Sequence, residues 1–177
     1  GIHEFLTTSL ENASATISFI SMLVASMMNS NSVVIWIGAA SSIYPPGFKA
    51  MGIDSGKIIR IQLQKEKDIL FAIEEALKCD GLAAVVAELK ELNFVSSRRL
   101  QLATEKSGNT GFIILNNPPL NYVTASITRW KVSSSASQNS EGLPGIGFPV
   151  LQVSLLKVRN GKTGNWKVAI IQSELKH

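Results

Sequence analysis

The sequence predicts an α/β domain: a mostly parallel, twisted sheet flanked by helices, with antiparallel strands appended at the C-terminal end. Three observations carry that prediction. Short runs such as Val33 to Ile37 and Leu82 to Val86 are apolar on both faces, as strands covered by helices on either side must be. These runs alternate with helical periodicity up to Leu115, the pattern of right-handed βαβ units in an open sheet. Beyond Pro118-Pro119 the helical period stops, and strand-like runs follow one another without helices between them.

Ile2 to Phe5 opens the chain as a strand, and a start so close to a strand predicts that upstream residues are missing. From Ser14 a helical pattern begins, with Ile17, Phe19, Ile20, Leu23, Val24 and Met27 covering most of the circumference, and Asn12 or Ser14 can cap it. Gly38 ends the Val33–Ile37 strand. Ile58 to Ile61 forms the next, followed by a helix over about 67–78 whose inner face is Ile69, Leu70, Ile73 and Leu77, with Glu74 and Lys78 paired outside. Gly81 stops that helix before the strand at Leu82. A further helix runs from about Ser96 to Lys106 with Leu100, Leu102 and Ala103 inward and Gly108 as its stop, leading into the strand Phe112–Leu115. Residues 124–132, 150–159 and 165–172 read as antiparallel strands, with Asn160-Gly161 and Gly164 marking a hairpin. The Ser/Asn/Gly-rich stretch 133–147 reads as a flexible loop.

A chain of 177 residues, 45% hydrophobic and 17% charged, suits one domain over 1–177 with a substantial core. The formal charge of +4 is unevenly placed: residues 1–106 hold 10 basic and 11 acidic side chains, residues 107–177 hold 7 and 2. Residues 12–48 carry no charge, but the apolar run Ala15 to Met28 is broken by Ser18, Ser21 and Ser26. It falls short of the roughly 20 residues that span a bilayer, so no membrane association is expected. The single cysteine, Cys79, excludes a disulfide framework, and with only His3 and His177 there is no histidine cluster for a metal. A reducing, cytoplasmic compartment fits.

The places where an α/β sheet holds ligands lack catalytic equipment. A phosphate-binding loop after the first strand needs glycines and a lysine, whereas Leu6 to Thr16 offers Ser, Thr, Asn and the repelling Glu11. Thr16 reads as a capping or core residue rather than a magnesium ligand. After the second strand, Gly38 to Ser42 holds no carboxylate to orient a water. Glu88, at the end of the third, reads as a solvated strand-end residue. There is no internal histidine to activate Ser, Thr or Cys79 as a nucleophile; Cys79 at a helix end beside Asp80 reads as a packing residue. Catalytic, cofactor and metal residues are therefore expected to be absent.

What remains is surface. Arg98 and Arg99 open a helix, where cations oppose the dipole, so a partner is one account of them and ion pairs with Glu91 or Glu105 the plainer one. Arg129, Lys131, Lys157 and Arg159, with Lys162 and Lys167, fall on or beside the C-terminal strands, where neighbouring strands can join them into a basic stripe for phosphates or an acidic partner. Trp130 and Trp166 are candidates for stacking on bases.

In this order the motifs resemble the RecA-like core and, within it, the ImuA family of damage-inducible mutagenesis proteins, over nearly the whole chain. The segment Ser96-Ser97-Arg98-Arg99-Leu100-Gln101-Leu102-Ala103-Thr104-Glu105-Lys106-Ser107-Gly108 is similar to that family's SRRLQLAxExSG helix. Ile2 to Phe5, Val34 to Ile37, Ile43 to Gly47, Gly52-Ile53-Asp54, Ala76-Leu77-Lys78, Val85 to Leu89, Ile127 to Val132 and Gly164 to Val168 support it. The resemblance implies a RecA-type sheet with Thr8 to Thr16 in the place of the phosphate loop, Ala39-Ala40 in that of the catalytic glutamate, and short segments at Lys90–Ser97 and Asn116–Thr124 in those of the DNA-binding loops. It implies a non-catalytic accessory protein of SOS-induced, error-prone translesion synthesis. The partners implied are an ImuB-type polymerase-like protein, an error-prone polymerase and RecA, with weak nonspecific binding of DNA and no cofactor. The alternatives are a SulA-type cell-division inhibitor, also a degenerate RecA-like domain, and a nucleotide-dependent RecA-like ATPase or recombinase, which needs groups this sequence lacks.

Overall fold

The computed structural model describes residues 1–38, 45–119, 122–138, 147–171 and 174–176. The elements follow the alternation of the sequence: β1 (Ile2–Thr7), α1 (Leu10–Met27), β2 (Val33–Gly38), α2 (Pro45–Ala50), a 3-10 turn (Ser55–Lys57), β3 (Ile58–Gln62), α3 (Glu66–Ala76), β4 (Leu82–Leu89), α4 (Phe94–Ser107) and β5 (Gly111–Asn116). Then come β6 (Thr128–Gln138), β7 (Phe148–Val158), β8 (Gly164–Ile171) and β9 (Glu174–Lys176). All the strands join one sheet in the order β3-β2-β4-β5-β1-β6-β7-β8-β9. Strands β3 to β6 of that order lie parallel, and β7, β8 and β9 run antiparallel to their neighbours. The sheet is the expected one, with one refinement: β6 lies parallel beside β1, His3 opposite Thr128 and Leu6 opposite Lys131, so antiparallel pairing begins only with β7.

Two-sided strands produce two cores. On one face Phe5, Val34, Trp36, Val86, Phe112 and Ile114 pack against α1 through Phe19, Ile20 and Met22. On the other Ile2, Ile37, Val85, Ile113 and Leu115 meet α3 and α4 through Ile69, Ile73, Leu77 and Leu100. Helix α1 is long and apolar enough to pass for a membrane span by length and composition. Here its buried residues face the sheet as those of a core helix do. Trp130 stacks on Phe5 and lies beside Trp166, both centroid pairs 6.3 Å apart, and both tryptophans are half-buried against the first core.

Several local expectations are corrected. The cap of α1 is Ser9, whose Oγ accepts from Asn12 N–H at 3.2 Å, so the helix begins at Leu10, ahead of Asn12 and Ser14. Helix α4 begins at Phe94 behind the Asn93 cap, and Gly108 ends it in the left-handed region at φ 79°, where a glycine carries no steric penalty. Leu102 points outward, 47% exposed, because the inward positions are Ser97, Leu100, Gln101 and Thr104. Cys79 is exposed rather than packed, its thiol near Glu75 O. Strand β6 continues to Gln138, six residues into the stretch expected as a loop, because β7 supplies a partner for 133–135 and 138; residues 139–146 of that stretch lie outside the described residues.

His3 is pinned inside the sheet. Trp130 Nε1 donates to Thr128 Oγ1 at 2.7 Å, and the Thr128 hydroxyl is hydrogen-bonded to His3 Nδ1 at 2.8 Å. Burial holds its pKa down at about 4 against an ordinary value of 6.5. The unfolded chain therefore binds a proton that the folded chain refuses between these values, and stability falls as pH drops through that window. Denaturation followed from pH 7 to pH 4 is expected to show this loss with a slope of up to about 1.4 kcal/mol per pH unit, reduced in His3→Gln; an unchanged slope in that variant would assign the loss elsewhere.

Candidate functional site

At the carboxyl ends of the parallel strands, where open α/β sheets place ligands, β1 ends at Thr7 and α1 begins at Leu10, leaving Thr8 and Ser9 as the connection. Two residues without glycine or lysine form no nest of successive N–H groups around a phosphate. Thr7 Oγ1 donates to Asn116 Oδ1 at 2.6 Å, closing β1 onto β5. Glu11, in the first turn of α1, accepts from Ser134 Oγ. Thr16 is the seventh residue of α1 and fully buried, its Oγ1 without a hydrogen-bond partner among the described residues; it belongs to the core. Glu88, expected in solvent, is half-buried and accepts from Trp36 Nε1 at 3.3 Å. The expectation placed on Ala39-Ala40 lies outside the described residues.

The basic residues expected on the C-terminal strands divide: Arg129 and Lys157 are half-buried, whereas Lys131, Arg159, Lys162 and Lys167 are exposed. Glu4 of β1 has no exposed surface and is paired in register with Arg129 of β6. Arg129 Nε donates to its Oε2 at 2.9 Å, Tyr122 Oη to the same oxygen at 3.2 Å, and Ser126 Oγ to Oε1. The Arg129 guanidinium lies 3.9 Å over the Tyr122 ring and donates through Nη2 to Thr124 Oγ1 at 3.1 Å. Burial, and then the Glu4 charge, push the Tyr122 hydroxyl pKa upward, so it stays protonated and donates. Arg129 is thus 16% exposed and held as the counter-ion of a buried carboxylate.

The neighbouring cations continue the clamp. Lys157 Nζ donates to Thr124 O at 2.7 Å, and burial, with Arg129 close by, lowers its pKa. Arg159 Nη2 donates to Ala125 O at 2.8 Å and lies 4.0 Å from Glu105. Together they fasten the segment 122–126 over the end of β1. Of the four expected cations on these strands Lys131 and Arg159 are exposed, the latter while bonded to Ala125 O, and Lys162 and Lys167 nearby are exposed as well. Sequence reasoning missed Glu4, Tyr122 and Ser126; the available signal was a lone carboxylate inside the strand Ile2–Phe5.

Helix α4 presents the remaining candidates. Arg98 and Arg99 are its fifth and sixth residues, past the first turn, so the dipole argument for their presence falls away. Both are exposed. Arg99 pairs with Glu74 of α3 rather than with Glu91 or Glu105, and Arg98 has no hydrogen bond or ion pair among the described residues. The inward polar positions of α4 explain its fixed rotation: Gln101 Oε1 accepts from Ile2 N at 3.0 Å, and Ser97 Oγ accepts from Ala125 N at 2.9 Å.

Comparison with known proteins follows this geometry. No family model matches the chain. Protein ImuA of Caulobacter vibrioides, in strains NA1000 / CB15N and ATCC 19089 / CIP 103742 / CB 15, is 29% identical over 178 aligned positions, covering 94% of this chain and 73% of the relative. The crystal structure of SulA from Pseudomonas aeruginosa superposes with a TM-score of 0.56 at 17% identity, over 66% of this chain and 98% of that one. The fold is thereby like that of SulA.

The buried pair has a measurable consequence. Removing either partner leaves the other desolvated and uncompensated, at a cost of about 3–5 kcal/mol. Urea unfolding of Glu4→Gln and of Arg129→Met is expected to show losses of that order, and the double variant a loss well below their sum. Additive losses would show that the two side chains do not depend on each other.

Proposed function

We propose that this chain, 29% identical to Protein ImuA over 94% of its length, is a non-catalytic accessory protein of SOS-induced, error-prone translesion DNA synthesis, acting in the cytoplasm as an interaction platform. ImuA is involved in SOS mutagenesis, and the observation that carries the reading here is likeness to it over 94% of this chain and 73% of the relative. The partner proposed is an ImuB-type polymerase-like protein, with an error-prone polymerase and RecA as further contacts. The two-residue connection between β1 and α1 supports a role without nucleotide hydrolysis. The exposed Lys131, Lys162 and Lys167 support weak, nonspecific, salt-sensitive binding of DNA as a secondary property.

The second reading, a SulA-type division inhibitor, draws on the fold likeness, and one experiment separates the two. A strain of the source organism lacking this chain is expected to lose damage-induced mutagenesis while dividing normally after damage. Restored mutation frequency on complementation supports the accessory role. Unchanged mutagenesis, with filamentation that requires the chain, would replace it by the division-inhibitor reading.

A further inference from the structure

Helix α4 shows solvent a face that its own fold does not use. Val95 and Leu102 lie two turns apart, 68% and 47% exposed, at the i, i+7 spacing that forms one ridge of a helix. Arg98 flanks this ridge on one side, Arg99 and Lys106 on the other, as the 3.6-residue repeat requires. Beside the ridge runs a groove of about 280 Å³ between α3 and α4, floored by Leu70 and Leu100 and walled by Phe71, itself 64% exposed.

Most carboxylates around this face are engaged, Asp80, which lines a cavity with Lys78 and Lys106, being set apart at its far end. Glu74 is already engaged by Arg99 and Lys78, and Glu105 by Gln101 and Arg159. Lys67 at the groove, Arg98 and Lys106 have no ion pair or hydrogen bond among the described residues. An occupant must therefore supply carboxylates around an apolar strip. A nucleic-acid backbone meets the cations but leaves Phe71, Val95 and Leu102 in water. A helix with apolar residues on one side and acidic flanks meets both, because its ridge packs into the groove between two helices and its carboxylates reach the guanidinium and ammonium groups.

We propose that the outward face of α4, with the α3–α4 groove, docks an acidic amphipathic helix of a protein partner, Val95, Leu102 and Phe71 taking its apolar side and Arg98, Lys106 and Lys67 its carboxylates. Arginine is among the residues enriched at interface hot spots. The inference rests on the reading of the chain as a partner-binding protein and names the surface and the chemistry that the partner brings.

Arg98→Glu and Leu102→Gln are the variants to use, since neither residue supports the fold, whereas Arg99 pairs with Glu74. The first probe is a synthetic helix of about 16 residues with leucines at alternating three and four spacing and glutamate flanks; the second is the purified ImuB-type protein. With melting temperature unchanged, each variant is expected to weaken binding of both probes by about tenfold or more, and Arg98→Glu to recover binding to a helix with lysine flanks. No binding of the acidic helix by the wild-type chain, or equal binding by wild type and variants, overturns the inference. So does displacement of the helix by single-stranded DNA that binds Leu102→Gln undiminished. ImuB-type protein bound equally well by the variants overturns this surface while leaving the proposed function standing; the helix bound without ImuB-type protein keeps the surface and removes that partner.

Discussion

A carboxylate with no exposed surface, in a strand with neighbours on both sides, must be given a cation and donors or the sheet does not close around it. Glu4 is that group, and the arrangement on the β6 side of β1 answers to it. Arg129 reaches it because β6 lies parallel to β1 in a register that places the two residues opposite each other. The segment 122–126 covers it because Tyr122 and Ser126 donate to its oxygens. That segment is in turn held down by Lys157 and Arg159, which donate to the carbonyls of Thr124 and Ala125. The basic charge of the last third, read along the chain as one surface, is thereby divided between a structural clamp and a few exposed lysines.

The same constraint sets what α4 can show to solvent. With Ser97 tied to Ala125 and Gln101 to Ile2, the helix cannot rotate, and Val95, Arg98 and Leu102 are left outward. Three hydrogen-bonding side chains, Ser97, Gln101 and Thr104, occupy inward positions that an amphipathic reading would give to aliphatics. The exposed apolar residues are the other half of that exchange. The polar inner face belongs to the fold, and the apolar outer one is available to a partner.

Most of the sheet was legible because two-sided strands and glycine stops are local signals: Val33–Ile37 ended at Gly38, Leu82–Val86 began after Gly81, and the inner face of α3 fell on Ile69, Ile73 and Leu77. Capping was less so, since Ser9, Asn12 and Ser14 have equal chemistry and only the end of β1 decides which is used. At Leu102 of α4 apolar character points to the core in the sequence, whereas the side chain is 47% exposed. The fate of Arg129, Lys157 and Arg159 was illegible for a different reason. Their partners, Glu4 and the carbonyls of 124–125, are fixed by strand register over separations of 125, 33 and 34 residues, which no local pattern encodes.

Arginine-directed footprinting with phenylglyoxal, read by mass spectrometry on the folded chain, tests this division of charge most directly. Arg98 is predicted to react at the rate of a free arginine and Arg129 about tenfold more slowly or less, in keeping with burial against a carboxylate. Equal rates at the two positions would contradict it, and with it the assignment of the C-terminal cations to the fold and of α4 to the surface.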